Sequence, residues 1–129
     1  LPERDALYVS LLLLEAITEC GQLLGERLDS LQERFGTSHY ERIDLRLKNL
    51  TMRHRFEAFL RSNTPSHIAG QPIKDVIKID GVKLRLDTMH WLMFRFSGTE
   101  PLLRIYCEAP TKEQAEVALC WAKQLAEKI

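Results

Sequence analysis

A chain of 129 residues, 45% hydrophobic and 28% charged, has the make-up of one globular domain, or of one small domain with part of another, and not of a disordered segment. Its 18 basic residues balance 18 acidic ones, which argues against a broad nucleic-acid surface, where a basic excess is the rule. A local anion site is compatible with that balance, because a few arginines at one spot barely change a total. The three cysteines, Cys20, Cys107 and Cys120, follow no zinc spacing. Their odd number and the apolar patterning around two of them predict buried free thiols and a reducing, cytoplasmic compartment. No signal peptide is visible, and the run Leu11 to Leu14 meets Glu15 and Glu19 too soon to span a bilayer. The chain opens on Leu1-Pro2 without a methionine, which suggests a piece of something longer.

In chain order, the first predicted element is a helix over 4–20 with Gly21 as its C-cap. Leu11 to Leu14 make it apolar all round, so it expects partners on several sides, more than so short a chain supplies. A second helix over 23–35 carries one narrow stripe, Leu24, Leu28, Leu31 and Phe35, and stops at Gly36. At 36–39 the apolar period changes from 3.6 to 2, which predicts a joint between two units, 1–37 and 38–129.

Residues 40–48 alternate as a half-buried strand, with Ile43, Leu45 and Leu47 facing inward. A helix over 51–63 points Met52, Phe56, Phe59 and Leu60 to the core, and a Pro- and Gly-containing loop follows at 62–72. Asp80-Gly81 predicts a two-residue turn between alternating strands. Two further strands, 91–96 and 102–109, lead into an amphipathic helix. Thr111 and Gln114 predict its capping box, and Ala115, Ala118, Leu119, Ala122, Leu125, Ala126 and Ile129 its inward face. The order predicts an α+β two-layer domain: a mostly antiparallel sheet covered on one face by two helices, with the other face polar.

The stretch RFSGTEPLLR, 95–104, joins the last two strands. Matching apolar residues across the hairpin places Phe96 opposite Leu103 and Phe94 opposite Ile105, which sets Arg95 opposite Arg104. Like charges so placed are mildly destabilising, and an anion between the two guanidinium groups offsets that. Gly98 allows close backbone approach, Ser97 and Thr99 add hydroxyls, and successive turn amides can form an anion nest. The competing explanation is an ordinary turn with solvated arginines, one of them paired to Glu100.

The same stretch, with Arg95, Ser97, Gly98, Thr99, Glu100, Pro101, Arg104, Tyr106 and Glu108, resembles the C-terminal signature of the α-D-phosphohexomutases, the family of phosphoglucomutase, phosphomannomutase and phosphoglucosamine mutase. The element order around it is similar to that family's last domain, and residues 1–17 resemble the final helix of its third domain. The resemblance implies that 1–37 is a helical remnant of the third domain with a linker, and 38–129 the C-terminal phosphate-binding domain. It further implies an isomerase of carbohydrate metabolism, a phosphoprotein whose first-domain phosphoserine exchanges phosphate with a hexose phosphate. An Mg²⁺ held by second-domain aspartates assists the transfer. The loop carried by Arg95, Ser97, Gly98 and Thr99 then holds the phosphate that is not reacting, with Arg104 either contacting it or supporting the loop. The family's TASHNP-like serine motif, DGDxDR-like metal loop and GEMSGH-like sugar loop do not occur in these 129 residues. The chain alone is therefore expected to bind phosphate at most weakly, to hold no metal and not to catalyse. Its partners would be the missing N-terminal domains, whose absence leaves the first helix as a surface for self-association; neither nucleic acid nor membrane is implied.

Other features carry less. His39, His54, His67 and His90 share no metal spacing, and Trp91 and Trp121 fit the core or its edge. Basic residues near Trp91 suggest an alternative, a stand-alone binding module for RNA or a protein partner. The zero net charge and the lack of an aromatic pair on one exposed face count against RNA. Asp44 and Asp87, on charge-alternating strand faces, are expected in solvated ion pairs.

Overall fold

The computed structural model describes residues 5–98 and 100–128, which divide into two compact units at Thr37/Ser38. The first unit is two helices, α1 (Ala6–Cys20) and α2 (Leu24–Phe35). The Asp5 carboxylate caps α1 by accepting the Tyr8 N–H at 2.9 Å, and Gly21 ends it in the left-handed conformation that a side chain would resist. Glu26 accepts the Leu23 N–H at the start of α2. Neither helix buries a residue; Leu11 and Leu14 are both more than half exposed. No single helix among the described residues is long and apolar enough to cross a membrane.

The second unit runs β1 (His39–Arg46), α3 (Leu50–Ser62), β2 (His67–Ile68), β3 (Gln71–Pro72), β4 (Asp75–Ile77), β5 (Val82–Arg85), β6 (Trp91–Phe96), β7 (Leu102–Ala109) and α4 (Lys112–Glu127). Five strands form one sheet in the order β1-β7-β6-β5-β4, every neighbouring pair antiparallel. Its inner face carries Leu84, Leu92, Phe94, Leu103 and Ile105, all fully buried. Phe56 and Leu60 of α3 and Ala115, Leu119 and Ala122 of α4 join the same core, with the Phe56 ring edge-on to Phe94 at 5.4 Å. Small alanines on α4 let that helix lie close to the strands. The α+β two-layer fold is as expected from the alternation of β1, β6 and β7. At α4, Thr111 caps by accepting the Gln114 N–H at 3.3 Å; Ile129 and the predicted helix start at Arg4 lie outside the described residues.

Two turns differ from expectation, for one reason. Asp80-Gly81 does not make a two-residue turn: Ile77 pairs with Lys83, so a wider loop joins β4 to β5. Gly81 has φ +93°, and a Cβ there would run into the Phe94 carbonyl oxygen, so the loop lies against the backbone of β6. The tight two-residue turn is instead Ala69-Gly70, inside the segment predicted as loop, where φ is positive at both residues and Ile68 pairs with Gln71. Burial of Ile68 in the core holds this small ribbon in place despite its weak turn residues. The expected buried thiols are also corrected: Cys107 is buried, but Cys20 and Cys120 are exposed, on helix faces that lie outside the buried core cluster.

Candidate functional site

The β6–β7 hairpin has the predicted register: Phe94 opposite Ile105, Phe96 opposite Leu103, and Arg95 opposite Arg104. With Phe94, Leu103 and Ile105 in the core, both arginines point to the outer face of the sheet. The loop between the strands is pinned from several directions. The Ser97 N–H donates to the Leu102 carbonyl at 2.9 Å, and the Leu102 N–H to Glu100 at 2.8 Å. The Leu47 N–H, just past β1, donates to the Pro101 carbonyl at 2.8 Å. Arg53 of α3 donates through Nη1 to the Ser97 carbonyl at 2.7 Å. Ser97 is the one buried polar residue among those described.

Electrostatics sharpen the picture of the arginine pair. Arg95 Nη2 lies 3.0 Å from Asp80 Oδ2, so a carboxylate of the chain already offsets part of the like-charge opposition. That carboxylate, with the Tyr106 hydroxyl as a second contact, raises the pKa of Arg95 further above its ordinary value. Arg104 faces Asp44 across β1–β7, but the Asp44 carboxylate pairs with Arg42 at 3.0 Å. Neither Arg53 nor Arg104 is among the ion-paired cations of the described residues. Glu100 pairs with no arginine among the described residues; Arg95 takes Asp80 as its carboxylate partner instead. Among the described residues, chain neighbours aside, a Cβ on Gly98 would meet nothing within 4 Å, so packing against them does not require glycine there.

The structure therefore brings Arg95, Ser97, Gly98 and Arg104 together at one end of the hairpin; Thr99 lies outside the described residues. Sequence reasoning missed two neighbours. Asp80 was hidden by its reading as a turn former. Arg53 had a visible signal: it falls on the apolar stripe of its helix with Phe56 and Leu60, where a cation needs a reason. At the other end of the hairpin, Glu108 accepts from Ser38 Oγ at 2.6 Å and from Trp91 Nε1 at 2.7 Å, tying the starts of β1 and β6 to β7.

The remaining candidates are dispersed. Asp87 lies in the turn before β6, not on a strand, and accepts the Met89 and His90 amides and His90 Nδ1. These bonds, that to the His90 amide foremost, lower its pKa to about 2. Trp91 is on the outer face, its ring 3.8 Å from Lys83 Nζ, and Arg85 pairs with Asp75 at 2.6 Å. Tyr40 and Tyr106 do approach on that face, with ring centroids 6.4 Å apart, so an aromatic pair exists there against expectation. The outer-face cations Arg42, Arg85 and Lys83 are nevertheless already engaged within the chain. Among the described residues no cluster of three or more His, Cys, Asp or Glu side chains is placed to hold a metal.

Comparison with known proteins bears directly on this hairpin. Residues 45–118 match the family model described as phosphoglucomutase/phosphomannomutase, C-terminal domain, a span that takes in α3, the sheet from β4 to β7 and the loop. A probable phosphoglucosamine mutase of Pyrococcus furiosus is 46% identical over 52 residues, 40% of this chain and 11% of the relative. A phosphopentomutase of Thermococcus kodakarensis is 41% identical over 44 residues, 34% of this chain and 10% of the relative. A probable phosphomannomutase of Haemophilus influenzae is 26% identical over 121 residues, 86% of this chain and 25% of the relative. The chain thus spans between a tenth and a quarter of the length of these relatives. With more than half of its residues matched by the family model, and the matched span folded as one sheet around the signature loop, the chain belongs to the phosphoglucomutase/phosphomannomutase family and carries that family's C-terminal domain.

Proposed function

We propose that residues 38–129 are the phosphate-holding domain of a hexose-phosphate mutase, an isomerase, and that the loop at 97–101 grips the substrate phosphate that is not being transferred. Arg95, Ser97, Gly98, Thr99 and Arg104 form the grip. The observation that carries this is the opposition of Arg95 and Arg104 at the mouth of a loop fixed on both sides by backbone hydrogen bonds. Asp80 holds the Arg95 fork in place, and a guanidinium with five N–H donors keeps others for phosphate oxygens. The open space beside Gly98 gives a phosphate access to the backbone.

In this proposal residues 1–37 are the end of the preceding domain, and the apolar surface of α1 is covered by the rest of that domain in the complete enzyme. The serine that carries phosphate, the ligands of Mg²⁺ and the groups that read the sugar belong to the other domains, so this chain alone binds hexose phosphate weakly and does not turn it over. Three free cysteines among the described residues fit a reducing, cytoplasmic setting.

The test is Arg95→Ala and Ser97→Ala in the complete enzyme. Each is expected to lower kcat/KM on hexose phosphates by about a hundredfold, the scale set by losing substrate alignment. Activity near wild type in both would show the site assignment to be wrong.

A further inference from the structure

We infer that Arg53 is a positioning residue for this loop: it acts on the bound phosphate through the Ser97 peptide. The inference rests on the proposed phosphate site and extends it to α3, an element outside the signature stretch. Three observations meet at Arg53. Its Nη1 donates to the Ser97 carbonyl at 2.7 Å. Its guanidinium lies over the Phe96 ring, 5.8 Å from the centroid, on the residue immediately before Ser97. Among the described residues its buried Nε meets no hydrogen-bond partner and no carboxylate neutralises its charge.

A cation placed half-buried on the apolar stripe of a helix is costly unless something is gained by it. Here one cationic group serves two successive residues of the hairpin, lying over the Phe96 ring within cation–π range while donating to the Ser97 carbonyl. The Ser97 N–H is held in turn by the Leu102 carbonyl at 2.9 Å. The backbone of Ser97 is thereby held at both its N–H and its carbonyl, in the two peptide groups that flank its Cα, and Gly98 follows from a set direction. Pre-organisation of this kind lowers the ordering cost of gripping an anion. Lysine cannot replace the arrangement in full, because a single ammonium that donates to the carbonyl lacks the extended, delocalised guanidinium that also reaches over the ring.

The experiment is titration of the isotope-labelled chain with inorganic phosphate, comparing wild type with Arg53→Met, Arg53→Lys and Arg95→Ala. Arg53→Met is expected to weaken binding about tenfold, a difference of about 1.4 kcal/mol, with Arg53→Lys in between. The amide signals of Ser97 and Gly98 should move while those of α4 stay in place, a signature that general loosening of the fold would not produce. If Arg53→Met fails to fold, Arg53→Lys decides, since it keeps the stem and the charge; wild-type affinity in that variant overturns the inference. Unchanged affinity in Arg53→Met with weakened binding in Arg95→Ala rejects the role of Arg53 and leaves the phosphate site intact. Unchanged affinity in Arg95→Ala as well rejects the phosphate site and this inference together.

Discussion

α1 and α4 are of similar length, yet they have opposite fates. α1 is leucine-rich and buries nothing; α4 is built on alanines and buries Ala115, Ala118, Leu119, Ala122 and Ala126. Hydrophobicity sets how much a helix can gain from a partner, and the partner decides whether the gain is realised. The sheet of residues 38–129 supplies that partner to α4 and closes its own core, whereas no residue of the unit ending at Thr37 is buried in either helix.

The largest test of this contrast pairs two large-to-small substitutions. Phe94→Ala, in the fully buried centre of the sheet, should cost about 3–5 kcal/mol in denaturant unfolding. Leu12→Ala in α1 should cost less than about 0.5 kcal/mol, as expected for a surface position; a cost like that of Phe94→Ala would mean α1 is packed after all. Next in size is Gly81→Ala, where positive φ and the Phe94 carbonyl leave no room for a Cβ. It should lower stability by about 1–3 kcal/mol, the usual scale of such backbone strain, while Gly98→Ala, with open space around it, should leave the fold unchanged.

A smaller effect follows from Asp87. Its pKa in the folded chain is lowered to about 2 from an ordinary 3.8, so the unfolded chain takes up the proton first as pH falls. The stability it contributes is therefore complete above about pH 4 and lost on the way down to about pH 2. The thermal-stability gap between wild type and Asp87→Asn should shrink over that window; a gap independent of pH would contradict the assignment. Smallest in energy, but direct as a readout, is thiol chemistry. Burial, with Glu108 adding to it, pushes the Cys107 thiol up to about 12, while Cys20 and Cys120 stand exposed. A maleimide reagent near neutral pH should label Cys20 and Cys120 and spare Cys107 in the folded chain, as mass spectrometry of the peptides would show.

Much of the fold was legible in the sequence wherever one face of an element is buried. Strict alternation located β6 and β7 and their register, so the opposition of Arg95 and Arg104 followed from matching Phe94 and Phe96 with Ile105 and Leu103. Turns were less legible, because their conformation here is decided by distant contacts. Asp80-Gly81 is a strong local hairpin signal, but packing of Gly81 on β6 and the Asp80–Arg95 ion pair override it. Ala69-Gly70 is a weak signal made into a tight turn by burial of Ile68. The site was half legible for the same reason. Its strand and loop residues are contiguous, whereas Arg53 and Asp80 reach it from α3 and the β4–β5 loop and become neighbours only in the folded chain.

The proposed grip of the hairpin on a sugar phosphate is tested most directly by mapping where one binds. The isotope-labelled chain would be titrated with glucose 1-phosphate, with glucose as the uncharged control and ionic strength held constant. Weak, saturable shifts of the Ser97 and Gly98 amides and of the Arg95 and Arg104 side chains, seen with the phosphate ester and absent with glucose, are the predicted result. Shifts centred elsewhere on the sheet, or no difference between the ester and the sugar, would contradict it.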